Sequence, residues 1–173
     1  VTPAVNIATA AQTHLLLIGF TGLSNSGSGL FVRASAASVQ SLGCAVTGAT
    51  FLLKTATEVN TGYAYNSPMA NIIVAGDAGG SSLYVNGRLI SSGGGAPVAQ
   101  SNSKYIIFGD RYGDGTYTSY GRVALALVWN RRLSLDEINS LSINPWQVFE
   151  DDVDYRFIVQ ESGATSVSSD STA

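Results

Sequence analysis

The sequence predicts an all-β chain of two antiparallel sheets packed face to face, with one short helix near its C-terminus. Two local signals and one global one predict it. Asn86-Gly87 stands between two β-type runs, with Leu83 and Val85 before it and Leu89 after it. Asn-Gly is the strongest short hairpin signal, because a type I′ turn needs positive φ at both central residues. Further on, GRVALALVWNRRLSLDEINSLSINPWQVFE (Gly121–Glu150) reads as a strand, a turn, one capped helix and a stop. The global signal is composition. Charged residues make up 12% of the chain, half of the roughly 25% of an average soluble domain. Ser, Thr and 19 glycines take over the surface role, which suits many short strands and turns. At 173 residues the chain fits one domain with room for a two-sheet core.

Residues 1–13 are small and polar and read as an N-terminal arm. His14–Phe20 is the longest apolar run and reads as a buried strand. It is far too short to span a bilayer, and it lacks the basic flank and cleavage pattern of a signal sequence. TGLSNSGSG (Thr21–Gly29) is a turn. Leu30–Ala34, Ser38–Thr47 and Thr50–Thr55 read as successive strands of a meander, punctuated by Gly43 and Gly48. Glu58–Ala70, rich in Tyr, Asn and Gly, reads as a loop. Asn71–Ala75 and Ser82–Asn86 pair across the GDAGGS turn, and Gly87–Ser91 returns. Ser92–Ser103 is a loop around three glycines, Lys104–Phe108 a short strand, and GDRYGDGTYTSYG (Gly109–Gly121) a long loop or exposed ribbon.

In the next strand Val123, Leu125, Leu127 and Trp129 alternate with Ala124, Ala126 and Val128, so both faces are apolar and should be covered. Ser134 with Glu137 three residues later makes a capping box. Asp136 and Glu137 suit the positive end of the helix dipole. Leu135, Ile138 and Leu141 form the apolar stripe. Asn144-Pro145 ends the helix, because the residue before proline is pushed out of the α region. VDYRFIV (Val153–Val159) alternates as a last strand, and the Ser/Thr-rich end reads as a flexible tail. The expected domain is therefore 14–160, between an arm (1–13) and a tail (161–173). Val123, Leu125, Leu127 and Trp129 should be core, with Ile73, Val85 and Ile107, and Trp146 should anchor the helix end.

Net charge is −3 and the pI about 4.9. No basic cluster exists beyond Arg131-Arg132, so the electrostatic footprint of a nucleic-acid binder is missing. The acidic run Glu150–Asp154 reads as a solvated segment. Cys44 is the only cysteine, which excludes an intrachain disulfide, and its small flanks suit a buried thiol. His14, the only histidine, opens an apolar strand and reads as structural rather than as part of a Ser-His-Asp set. One His and one Cys do not make a zinc site. The chain opens on Val1, which leaves open a removed initiator or a piece of a longer polypeptide.

The richest candidate site is the Gly109–Gly121 loop, with Asp110, Arg111, Tyr112, Asp114, Tyr117 and Tyr120 in one polar, aromatic segment. Tyr63 and Tyr65 could add a second wall. Aromatic rings stack on apolar sugar faces while carboxylates and guanidinium groups bond hydroxyls, so glycan recognition is one reading. A subunit contact uses the same residue types, and plain turn structure is the third reading. Asp110 and Asp114 supply hard oxygens suited to calcium, but they miss the D-x-[DN]-x-[DN]-G pattern. No other cofactor is expected.

LYVNG (Leu83–Gly87) followed by Gly121–Ile138, with its alternating strand and NRRLSLDEI, resembles the laminin-G/pentraxin-like branch of the concanavalin A-like jelly rolls, from about Asn71 to Phe149. Members of that branch often carry a His before the strand entering the hairpin, where this chain has Asn71. The resemblance implies a lectin-like sandwich. The same jelly roll hosts glucanases, whose two carboxylates lie close together on one strand in an E-x-D-x-x-E-like pattern. The glutamates here, Glu58, Glu137, Glu150 and Glu161, do not form it, so no catalytic residues are expected. The ending NPWQVF (Asn144–Phe149) is similar to the end of laminin-G-like domains of tailed-phage virion proteins. It implies a non-catalytic structural protein on the phage particle surface, in capsid decoration or a tail or fibre, contacting itself or other virion proteins. The alternative is an extracellular glycan-binding adhesion module. Neither reading involves nucleic acid or membrane insertion.

Overall fold

The computed structural model describes residues 11–23, 28–36, 39–47, 50–55, 58–64, 69–97, 104–107 and 119–150. Its strands are β1 (Gln12–Leu23), β2 (Ser28–Ala36), β3 (Val39–Thr47), β4 (Thr50–Lys54), β5 (Glu58–Ala64), β6 (Met69–Asp77), β7 (Gly80–Val85), β8 (Arg88–Gly94), β9 (Lys104–Ile107) and β10 (Ser119–Trp129). One helix, α1 (Leu135–Ile143), and a 3-10 turn (Gln147–Phe149) follow. Among the described residues the strands form two five-stranded sheets: a front sheet in the order β10-β1-β6-β7-β8 and a back sheet in the order β5-β4-β3-β2-β9. All pairings are antiparallel. The expected sandwich with one C-terminal helix is the observed architecture.

The central strands of the front sheet, β1, β6 and β7, are apolar on both faces because both are covered. Leu16 and Ile18 of β1, Ile72 and Val74 of β6, and Leu83 and Val85 of β7 point between the sheets. There they meet Leu42, Cys44 and Val46 of β3 and Phe51 and Leu53 of β4. The alternate residues Leu15, Ile73, Ala75 and Tyr84 point outward, under Ile138 and Leu141 of α1. Strand periodicity thus builds three layers from one sequence. At nine residues, α1 is shorter than the roughly 12–15 residues at which even an isolated helix is only marginal. Its packing on the sheet holds it, each buried Leu or Ile contributing about 1.5–3 kcal/mol.

Several local expectations change. The run read over His14–Phe20 is part of a longer strand. The alternation along β10 breaks at a bulge, where Leu17 and Ile18 face Leu125 and Val123 and skip Ala124. Paired side chains share a face, so Val123 falls on the side of Ile18, opposite Leu125. On this edge strand it stays 41% exposed instead of entering the core. Ala124 and Ala126 are exposed as well, so β10 is not covered on both sides. Leu125 is buried, and Leu127 and Trp129 pack partly against the outer cluster. The burial of Ile107 lies outside what is described.

Leu135 is 59% exposed; its place under the helix is taken by Leu133. Leu133 precedes the Ser134 cap and joins Ile138 in the outer cluster, as a hydrophobic staple does. Trp146 does not anchor on the sandwich. It is half exposed, and its ring contact is with Phe149, 6.3 Å between centroids. Asn144 turns the chain there, its Oδ1 accepting from Trp146 N and its Nδ2 donating to Glu150.

Glu58–Ala64 is a strand, not a loop: Val59, Thr61 and Tyr63 turn in and their neighbours turn out. Gly43 sits inside β3 rather than at its end. Gly93 and Gly94 belong to β8. A Cβ on Gly94 would lie 2.6 Å from Leu53 Cδ2, so glycine lets β8 pass close to the back sheet. The segments 1–10, 153–159 and 160–173 lie outside the described residues.

The Asn-Gly turn is as expected, with Asn86 at φ 50° and Gly87 at φ 78°. Asn86 does more than turn. Its Oδ1 accepts from Asn71 N at 2.8 Å, its own N donates to Asn71 O at 2.8 Å, and Asn71 Nδ2 donates to Leu141 O at 2.9 Å. Two asparagines therefore tie the hairpin, β6 and the end of α1 together. Asn86→Ala loses the acceptor for Asn71 N and strains the positive φ. The expected loss is about 2–4 kcal/mol in urea unfolding. Asn86→Asp keeps both properties and should lie much nearer wild type.

Candidate functional site

A concavity among the described residues lies where β10 hands over to α1. Thr13 fixes the connecting segment: its hydroxyl donates to Arg131 O at 3.0 Å and accepts from Leu133 N at 2.9 Å. Arg132 then reaches back to the β6–β7 turn. It donates to Asp77 Oδ1 at 3.1 Å, Gly80 O at 3.0 Å and Ser82 Oγ at 3.2 Å. Arg131 points the other way and grips both oxygens of Glu137, with Nη1–Oε2 at 2.8 Å. The capping box is complete, with Ser134 N donating to Glu137 Oε2 and Glu137 N to Ser134 Oγ.

These contacts frame a groove of about 260 Å³. Buried Leu133 and Leu141 with partly buried Trp129 make its apolar floor, and Val148, Arg131, Glu137, Ser140 and Gln147 its rim. Ser140 Oγ donates to Gln147 Oε1 at 2.8 Å, which sets the amide. Sequence reading missed this groove, because it used Glu137 only as a cap and placed Trp129 only in the core. The usable signal was the fork-forming Arg beside a capping Glu.

The Arg131 guanidinium, helped by the Ser134 backbone N–H, pulls the Glu137 carboxyl from an ordinary 4.5 down to about 2. A depressed folded pKa gives stability that is present above about pH 4.5 and lost as pH falls toward 2. The urea midpoint should therefore fall across that window with a component that Glu137→Gln lacks.

Of the residues singled out beforehand, Tyr63 is half-buried on β5. Its ring stacks on Phe51 at 6.2 Å, and the Arg88 guanidinium carbon lies 5.7 Å from its centroid. Tyr120 falls in β10, opposite Gly22. Tyr65, Asp110, Arg111, Tyr112, Asp114 and Tyr117 lie outside the described residues, and with them the calcium candidates. Cys44 is buried between the sheets, and His14 is buried with Nε2 3.2 Å from Gln12 Oε1. Among the described residues no group of three or more His, Cys, Asp and Glu is placed to hold a metal ion. No helix there is long and apolar enough to cross a membrane.

No curated protein sequence matches the chain. Solved structures do, at the level of fold. A Trypanosoma rangeli sialidase in complex with 2,3-difluorosialic acid superposes with a TM-score of 0.64 at 20% identity, covering 79% of this chain but 23% of the sialidase. A heptameric SAP-like pentraxin from Limulus polyphemus gives 0.59 at 12% identity, covering 78% of this chain and 70% of the pentraxin. Domain 4 of AbnA, a GH43 extracellular arabinanase from Geobacillus stearothermophilus, in complex with arabinotriose, gives 0.57 at 12% identity, covering 78% of this chain and 68% of that one. The sequence pattern of the laminin-G type extends over residues 5–139, and the chain belongs to the concanavalin A-like lectin/glucanases superfamily.

Proposed function

We propose that this chain is a non-catalytic glycan-recognition module. One observation carries the reading: the chain belongs to a superfamily of lectins and glucanases, and three of the described carboxylates, Glu137, Asp77 and Glu150, are bonded within the chain. Glycoside hydrolysis needs two carboxyl groups flanking the scissile bond, one of them able to give up a proton near neutral pH. Glu137 is held by Arg131, Asp77 by Arg132 and the Gly79 N–H, and Glu150 by Asn144. The arabinotriose-bound domain supports the sugar side of the reading.

A glycan array probed with the purified chain should give saturable binding and no hydrolysis. Tyr112→Ala tests whether the segment 109–121 takes part. Absence of binding across the array, arabinan fragments included, would sink the reading.

A second reading is the structural component of a phage particle, associating with itself or with other virion proteins. It rests on the NPWQVF ending and on the apolar surface beside it. Ile143 is 87% and Phe149 61% exposed, with Trp146 and Val148 half exposed. Exposed apolar surface of this kind favours a protein contact. Sedimentation showing a stable oligomer, together with a silent glycan array, would favour this second reading over the first.

A further inference from the structure

We propose that the groove between Trp129 and α1 is a binding site for one neutral sugar residue. The inference rests on the glycan-recognition reading and adds the place and the ligand class. A pyranose or furanose ring has an apolar C–H face and a rim of hydroxyls that each donate and accept. The groove is the complement of that shape. Its floor is the Trp129 indole with Leu133 and Leu141, and its rim is mostly polar. At about 260 Å³ it lies below the roughly 300–1,000 Å³ that takes a drug-sized ligand, so one ring fits and the rest of a glycan lies outside.

The rim offers both hydrogen-bonding senses. Arg131 has five N–H donors, and Glu137 takes bonds from only some of them. Gln147 accepts from Ser140 through Oε1, and its amide nitrogen makes no hydrogen bond among the described residues. Glu137 and Ser140 keep lone pairs for hydroxyl donors. Charge selects the class: Arg131 and Glu137 neutralise each other, so an anion meets Glu137 and a cation meets Arg131. A purely apolar ligand would fill the floor and leave the rim's polar groups dry, at a cost.

The site is also ready-made. Trp129 is held by its packing on the outer cluster, the Arg131–Glu137 fork fixes two rim groups, and the Ser140 bond fixes a third. Little ordering is left for binding to oppose.

The test uses the full chain carrying Trp146→Phe, which leaves Trp129 as the sole tryptophan reporter, since the chain has two. Arabinotriose, maltotriose, cellotriose and mannotriose are titrated by fluorescence and calorimetry. At least one should shift Trp129 emission saturably. Gln147→Ala should weaken that ligand about two- to tenfold, with an unchanged urea midpoint because Gln147 lies outside the core. Trp129→Phe keeps an aromatic floor and should bind more weakly without losing binding.

If a sugar binds but Trp129 emission stays flat and Gln147→Ala binds as wild type, the groove is not the site. If Tyr112→Ala then abolishes binding, glycan recognition survives in the segment 109–121. If none of the four sugars and no array glycan binds, both inferences fall together.

Discussion

Phe51→Ala is expected to lower the stability of the chain by about 3–5 kcal/mol, read as a drop in the urea midpoint. The ring is fully buried between the sheets, in the cluster that joins β1, β3, β4, β6 and β7. Its removal leaves a cavity that neighbours in two rigid sheets can only partly close. It also takes away the surface on which Tyr63 stacks, and with it the seat of the Arg88 contact. Tyr63→Phe keeps the stack and should change stability by no more than about 0.5 kcal/mol. A large loss from Tyr63→Phe would mean that the phenolic oxygen, not the ring, holds β5 in place.

Thr13→Val is expected to cost about 2–4 kcal/mol, although the two side chains have nearly the same shape. Thr13 is fully buried, and its one hydroxyl serves two backbone groups of the segment between β10 and α1. Valine strands the Leu133 N–H and the Arg131 carbonyl, and each unmet buried group costs about 1–3 kcal/mol. Thr13→Ser retains the hydroxyl and should lose much less. A larger loss from Thr13→Ser than from Thr13→Val would assign the effect to the methyl group rather than to the hydrogen bonds. Calorimetric unfolding of the pair separates the two.

The parts legible in the sequence were those written in local chemistry. The Asn-Gly turn needs positive φ, and the Ser134–Glu137 box needs only two residues at one spacing; both formed as expected. What stayed hidden depended on partners distant in the chain. The bulge at Ala124 exists only in the register of β10 against β1, so strict alternation misplaced Val123. Strand β5 was obscured by its Asn and Gly, although Val59, Thr61 and Tyr63 carry the period. The staple residue Leu133 lies before the cap, outside the stripe that helical spacing picks out. Of the candidate binding residues, Tyr63 proved to have its ring contacts within the chain. The groove at Trp129 needs β10, α1 and the 3-10 turn to meet, which no local pattern encodes.

The place of β1 in the front sheet also governs when the chain can fold. It is the first of the described strands, yet it lies between β6 and β10, and its outer partner is the last of them. Until β10 emerges, LLLIGF has an open hydrogen-bonding edge and no cover from α1. Closing so long a loop is slow, and an unpaired apolar edge is a template for other chains. With charged residues at only 12% of the sequence, repulsion does little to keep nascent copies apart. Completion of the front sheet therefore waits for β10, and a chain truncated before β10 is expected to aggregate through β1.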